Sequence, residues 1–167
     1  MTHTTGLEIQ AATPADVPLL LQLIRELAEF ESLLPEVVAT EELLHQALFG
    51  ARPVVEAVVA RSGGTEAGFA LFFHNFSTFL GRSGIYLEDL FVRPAFRGRG
   101  IGRALLVHLA QIAVARGCGR VEWAVLDWNR PARDFYEGLG AQAVTQWMLH
   151  RITGPAMQAL ADGGRCD

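Results

Sequence analysis

The amino-acid sequence predicts an α/β fold, an α+β sandwich in which a mixed, mostly antiparallel central sheet carries helices on both faces. Three observations predict it. Along 167 residues, apolar positions alternate in some stretches and recur at helical spacing in others. β-rich runs follow one another between Pro53 and Val92 across short turns, as in an antiparallel meander. After Val92 the pattern becomes helix, strand, helix, strand, which demands crossover connections.

Each element has its own signal. Residues 7–12 alternate apolar and polar and read as a short strand. Thr13, Pro14 and Asp16 then open a helix: a hydroxyl can cap it, proline suits its first turn, and a carboxylate favours the positive end of its dipole. Val17, Leu20, Leu21, Ile24, Leu27 and Ala28 carry it to Phe30, before Pro35 interrupts. Thr40, Glu41 and Glu42 start a second, shorter helix that Gly50 ends. Residues 53–60 and 67–76 are strands joined by Ser62-Gly63-Gly64, a hairpin signal. Residues 85–92 form the next strand. Ile101, Leu105, Leu109 and Ile112 then share one side of a helix that stops at Gly117. Residues 121–128 are predicted as a strand, 131–140 as a short helix and 143–152 as the last strand. No repeat, linker or low-complexity segment intervenes. One domain over residues 1–167 is expected, with a core over about 6–153 and a C-terminal tail over 154–167.

Composition narrows the class. Half of the residues are hydrophobic and 19% are charged, the balance of a globular chain and not of a disordered one. A formal net charge of -4 argues against general nucleic-acid binding. Cys118 and Cys166 are too few for a disulfide framework and lack metal-ligand spacing; a packed thiol and a thiol in a frayed tail are expected. His45, His74, His108 and His150 are scattered without metal spacing, and His3 falls in a terminus expected to be disordered. No metal is expected. The N-terminal stretch lacks the basic and apolar regions of a secretory signal, and no apolar run is long enough for a bilayer. A cytoplasmic protein without membrane contact is expected.

Functional chemistry concentrates in one stretch, FVRPAFRGRGIGRALL, where glycines interrupt an apolar run. It joins a strand ending at Val92 to a helix starting near Gly100. Such a junction exposes unpaired backbone N–H groups and the positive end of a helix dipole, an anion site. Glycines allow close backbone approach to a phosphate, and Arg93, Arg97, Arg99 and Arg103 add positive charge. A solvated strand–helix turn would read the same way. A dinucleotide fingerprint fits poorly, because Gly102 falls one place early after Gly98 and Gly100, and no G-K-[ST] is present.

Arg97-Gly98-Arg99-Gly100-Ile101-Gly102 does match the [QR]-x-x-G-x-[GA] signature. With YLEDLFV before it and VLDWNRPARDFYEGLGA after it, the chain resembles the GNAT N-acetyltransferases. Within them it is similar to the diamine/polyamine branch, which includes spermidine/spermine N1-acetyltransferase-like and thialysine N-acetyltransferase-like proteins. The likeness runs from LEIQAATPADVPLLLQLIRELAEFE to WMLHRI, nearly the whole chain. It implies a GNAT fold and an acetyl-CoA donor.

The resemblance also implies site residues. Arg97, Gly98, Arg99, Gly100, Ile101, Gly102 and Arg103 would cradle the coenzyme A pyrophosphate, with Leu90, Phe91 and Val92 offering backbone to the pantetheine. Asn129, Pro131 and Ala132 would cap the short helix and contact the same arm. Tyr136 would protonate the departing thiolate, with Phe135 as packing. Phe30, Glu31, Thr78 and Glu88 would line the acceptor.

Amine acetylation has a protonation problem that these roles address. A lysine-like amine is neutral about once in 10³ at pH 7, a cost of roughly 4 to 5 kcal/mol. A base must take that proton and an acid must supply one to sulfur. Glu88 is the expected base, directly or through water. Under strict strand alternation one of Glu88 and Asp89 points away from the acceptor, and Glu88 is preferred. Glu26, Glu29, Glu36, Glu41 and Glu42 make the neighbourhood of the first helix acidic, which attracts a cation but equally describes a solvated helix face. Thr78 stands where spermidine/spermine enzymes carry an acidic residue, and the segment after Gly140 lacks their paired glutamates, so a smaller amine than spermine is expected. Direct transfer in a ternary complex follows from the lack of a cysteine near these motifs. A homodimer is implied by the resemblance. Two rival readings are a protein or peptide N-acetyltransferase and a non-catalytic acyl-CoA-binding sensor.

Overall fold

The computed structural model describes residues 6–164. The expectations for His3 and Cys166 lie outside the described residues. The chain forms two compact units that meet in sequence at Ala124 and Val125.

The first unit contains β1 (Leu7–Ala11), α1 (Val17–Phe30), α2 (Glu41–Phe49), β2 (Glu56–Ser62), β3 (Thr65–Ser77), β4 (Arg82–Val92), α3 (Ile101–Ala115) and β5 (Val121–Trp123). Local chemistry explains the boundaries. The Asp16 carboxylate accepts from both the backbone N and Oγ1 of Thr13 at 2.8 Å, closing the turn that feeds α1. Thr40 caps α2 by accepting from Leu43 N at 3.2 Å. Between β2 and β3, Gly63 and Gly64 take φ of +59° and +78°, as a tight two-residue hairpin turn requires.

The sheet runs β1-β2-β3-β4-β5, antiparallel through β4 and parallel between β4 and β5. Its two faces bury different helices. On one, Ile101, Leu105, Leu109 and Ala113 of α3 pack with Val58, Ala70, Phe72, Ile85 and Leu87. On the other, Leu20 and Leu23 of α1 and Leu48 of α2 pack with Val59, Phe69, Leu71 and Phe91. Each fully buried leucine contributes about 1.5 to 3 kcal/mol, so α1 and α3 are held chiefly by these stripes. Helices on both faces of a mixed, mostly antiparallel sheet are what the sequence predicts.

The second unit contains α4 (Arg130–Gly138) and α5 (Gly154–Ala161). The largest departures from expectation lie after residue 120. The strand predicted over 121–128 stops at Trp123, opposite Leu87; pairing ends where β4 bulges at its next residue. The strand predicted over 143–152 does not form among the described residues. Its β-favouring side chains require a pleated neighbour to pack against, and Val144, Trp147, Met148 and Leu149 are exposed. The expected tail contains α5, because Thr153-Gly154-Pro155 starts a helix as readily as Thr13-Pro14 does.

Candidate active site

β4 does not alternate strictly. Across the β3–β4 ladder Leu71 pairs with Asp89 and Phe72 with Leu87, so Glu88 is an extra residue with no partner opposite. The bulge changes which side chains share a face. Ile85 and Leu87 enter the core beneath α3, whereas Phe91 enters the core beneath α1 and α2. Counting forward from Leu87 and back from Phe91 puts Glu88 and Asp89 on the same face, toward α1. The expectation that one of the two points away is therefore corrected.

Glu31, the residue capping the C-terminus of α1, completes a group of three carboxyls. Burial pushes the Asp89 carboxyl up to about 6, helped by the negative charges of Glu88 and Glu31. Burial alone raises the carboxyl of Glu31. Glu88 itself is exposed. A half-buried carboxyl that titrates near neutrality suits proton transfer, and strict alternation hid it from sequence reasoning.

Beyond Leu87, β4 has a strand partner on the β3 side only, so its 88–92 backbone on the other side is open to a ligand among the described residues. The glycine run follows directly. Gly98 and Gly100 take φ of +74° and +79°, with Gly100 at the N-cap of α3, and a Cβ at either would meet only open space. The N–H groups at the start of α3 are thus presented without side-chain cover, a cradle that fits the phosphates of a nucleotide-bearing donor. Ile101, fully buried, anchors the helix behind that cradle. Gly102 and Arg103 complete its first turn, and Arg103 is exposed.

The arginines divide into two groups. Arg93 is spent on structure: its Nε and Nη2 reach the two carboxylate oxygens of Glu26 at 2.8 Å, and its Nη1 donates to Glu66 O. Arg97 donates through Nε to Val92 O at 2.9 Å and lies over the Phe30 ring. Arg99 lies over Phe96 and, like Arg103, is exposed.

In the second unit, Asn129 Oδ1 accepts from Ala132 N at 3.3 Å and Pro131 occupies the first turn, so α4 starts as the sequence predicts. Tyr136 is half-buried and packs against Phe135, ring centroids 5.3 Å apart.

The strand, the open backbone, the glycine cradle and the helix start are contiguous in sequence. The model of the acetyltransferase (GNAT) family matches residues 21–141, which include all of them. The chain belongs to the GNAT acetyltransferase family. It is 40% identical to the thialysine N-epsilon-acetyltransferase of Bos taurus, over 92% of this chain and 96% of that protein. It is 36% identical to an L-ornithine N5-acetyltransferase of Arabidopsis thaliana, over 95% and 89%. Among solved structures, an integron cassette protein from the V. cholerae mobile metagenome shares the fold at a TM-score of 0.79 and 28% identity, covering 94% of this chain and 98% of that one.

As a GNAT acyltransferase, the chain concentrates its predicted acceptor residues unevenly. Phe30, Glu31 and Glu88 come together with Asp89, which sequence reasoning had set aside. Thr78 does not join them within one chain: it follows β3 in the exposed turn, about 20 Å along the strands from Glu88 at 3.3 Å per residue. The acidic side chains predicted to draw in a cation are also divided, since Glu26 is committed to Arg93.

Proposed function

We propose that this GNAT enzyme transfers the acetyl group of acetyl-CoA directly to a primary amine of a small dibasic molecule of the ornithine or thialysine type. The carboxyl pair Glu88–Asp89, on one face of the strand that runs into the glycine cradle, carries the reading. Names of the relatives at 36–40% identity point the same way. Family membership argues for one domain, because the matched residues 21–141 cross the boundary between the two compact units.

Acetyl-CoA supplies an activated thioester. The Gly98–Arg103 run holds its pyrophosphate, Leu90, Phe91 and Val92 align its pantetheine arm through backbone, and Asn129, Pro131 and Ala132 meet the same arm. Glu88 draws the ammonium in and takes its proton, directly or through water, with the Asp89 carboxyl, raised to about 6, beside it. The freed amine lone pair forms the N–C bond as the C–S bond breaks, and the acylated nitrogen gives up its second proton to solvent. Tyr136 gives its phenolic proton to the leaving sulfur and recovers one from solvent. Phe30 and Glu31 form the wall on the α1 side.

Two positive charges on the acceptor suit this site better than the several of spermine, because the carboxyls brought together are few. The reading extends to a homodimer, as the resemblance implies, with Thr78 supplied from the partner, and to a cytoplasmic location. A thiol-release screen with acetyl-CoA against thialysine, ornithine, lysine, diamines, spermidine and spermine tests it. Turnover confined to acetylated peptides would overturn the small-molecule reading.

A further inference from the structure

The position that opens the glycine-rich run, Arg97, has a use other than phosphate contact. Its Nε donates to Val92 O at 2.9 Å, fastening the loop back onto the last residue of β4. Its Cζ lies 4.8 Å from the centroid of the Phe30 ring and 5.7 Å from that of Phe91. The Phe91 ring is buried in the core beneath α1, so it is a fixed floor. Phe30 is the last residue of α1 and is 45% exposed, so its ring depends on what lies beside it. One planar cation therefore meets three elements: the end of β4, the end of α1 and the loop leading into α3.

Consequences follow on both sides of the reaction. On the donor side, Arg97 immediately precedes Gly98, whose left-handed backbone begins the cradle. On the acceptor side, Phe30 immediately precedes Glu31, which stands near Asp89 on the α1 face. We infer that Arg97 is a positioning residue: through its stack on Phe30 it registers the acceptor wall at the end of α1 against the donor loop, so that each ligand orders part of the other's site. The inference rests on the acetyltransferase reading above. A guanidinium suits this task and an ammonium does not. The planar group lies flat on a ring while its Nε–H reaches a carbonyl, and lysine has no equivalent donor.

The size of the effect follows from the exposure of the pair. An exposed cation–π contact changes an equilibrium constant about three- to fivefold. By reciprocity, acetyl-CoA should tighten amine binding by the same factor that the amine tightens acetyl-CoA binding.

Calorimetric coenzyme A binding, steady-state KM and kcat for the amine, and Tm, measured on the full chain, decide the matter. The variants are Phe30→Leu, Phe30→Trp, Arg97→Lys and Arg97→Leu. Phe30→Leu keeps an apolar side chain and removes the π face. It is expected to raise both the coenzyme A Kd and the amine KM about three- to fivefold, with Tm near that of the parent. Phe30→Trp is expected to restore both constants, and Arg97→Lys to restore neither fully. Should Phe30→Leu leave the coenzyme A Kd unchanged while Arg97→Leu weakens it, Arg97 contacts phosphate directly and the inference is overturned. Equal losses in Phe30→Leu and Phe30→Trp that track a fall in Tm would overturn it too, as a purely structural effect. If the parent chain acetylates no amine, the proposed function fails, but the coenzyme A Kd series still decides the role of the stack.

Discussion

Glu88 and Asp89 are consecutive on β4, yet both face α1, because Glu88 is the extra residue of a bulge. The negative charge of Glu88 disfavours ionisation of its neighbour Asp89. The charge of Glu88 is one of the causes that keep Asp89 near 6, after burial. The pH dependence of kcat/KM should therefore show an acidic limb near pH 6. Glu88→Gln should move that limb to lower pH as well as slow the reaction, and Asp89→Asn should remove it. Steady-state rates from pH 5 to 9 check this; a limb unmoved in both variants would dissociate the pair from proton transfer.

The same carboxyl is a burden on the folded state. A native value raised to about 6 from an ordinary 3.8 means that the folded chain binds the proton more tightly than the unfolded one. Stability from this group is fully present below about pH 4 and is lost as pH rises through 6. Asp89→Asn should thus stabilise the protein by about 2 to 3 kcal/mol at pH 8 and by little at pH 4. Urea midpoints at the two pH values provide the measurement. A gain at pH 8 with lost activity would mark Asp89 as a site residue held at a cost in stability.

Gly100 sits at the N-cap of α3 with φ +79°, and Gly98 two residues before it has φ +74°. Added methyl groups would meet open space, so the penalty of an alanine is conformational, about 1 to 2 kcal/mol at each position. Gly98→Ala should weaken coenzyme A binding, because the relaxed backbone no longer presents its N–H groups, whereas Gly98→Asn, which tolerates the left-handed region, should lose less. Calorimetry on the three proteins would show the graded order; equal affinities would mean that the loop does not hold the pyrophosphate.

Much of this was legible in the sequence, and the failures have physical causes. Capping residues, the Ser62-Gly63-Gly64 hairpin and the stripe of Ile101, Leu105 and Leu109 are local signals, and the structure follows them. The left-handed turns at Gly98 and Gly100 were legible for the same reason, since φ is a property of one residue. The bulge was not, because it is set by the register between Leu71 and Asp89 on two strands. That is why Asp89 was undervalued. The fate of the arginines was also hidden: Arg93 finds Glu26 and Arg97 finds Phe30, partners from α1 far away in sequence. Residues 143–152 show the converse error, where strand composition was present and a ladder was not.

The Arg93–Glu26 tie makes a prediction independent of catalysis. Both side chains are partly buried and the pair is bidentate, and its hydrogen bonds lower the Glu26 carboxyl against the effect of burial. A depressed carboxyl contributes stability above its unfolded value of 4.5 that is lost as pH falls through the folded one. Glu26→Gln should cost about 1 to 2 kcal/mol at pH 7, and the difference from the parent should shrink toward pH 3. Thermal melts across that range test the tie; a difference constant with pH would assign the loss to packing.

Tyr136 provides the last test, because it separates bond-breaking from binding. It lies on α4, whose start is fixed by Asn129, so removing the hydroxyl leaves the helix cap and the ring packing against Phe135 in place. Loss of general-acid help to a departing thiolate should lower kcat by about 10²-fold or more, with amine KM and coenzyme A Kd little changed. Because a thiolate needs less help as the solution becomes more acidic, the deficit of Tyr136→Phe should narrow at low pH. A poorer leaving group makes the comparison sharper: an acyl donor with a less acidic thiol should suffer more from the substitution than acetyl-CoA does. Full turnover by Tyr136→Phe at every pH would remove the tyrosine from the reaction and leave thiolate protonation to solvent.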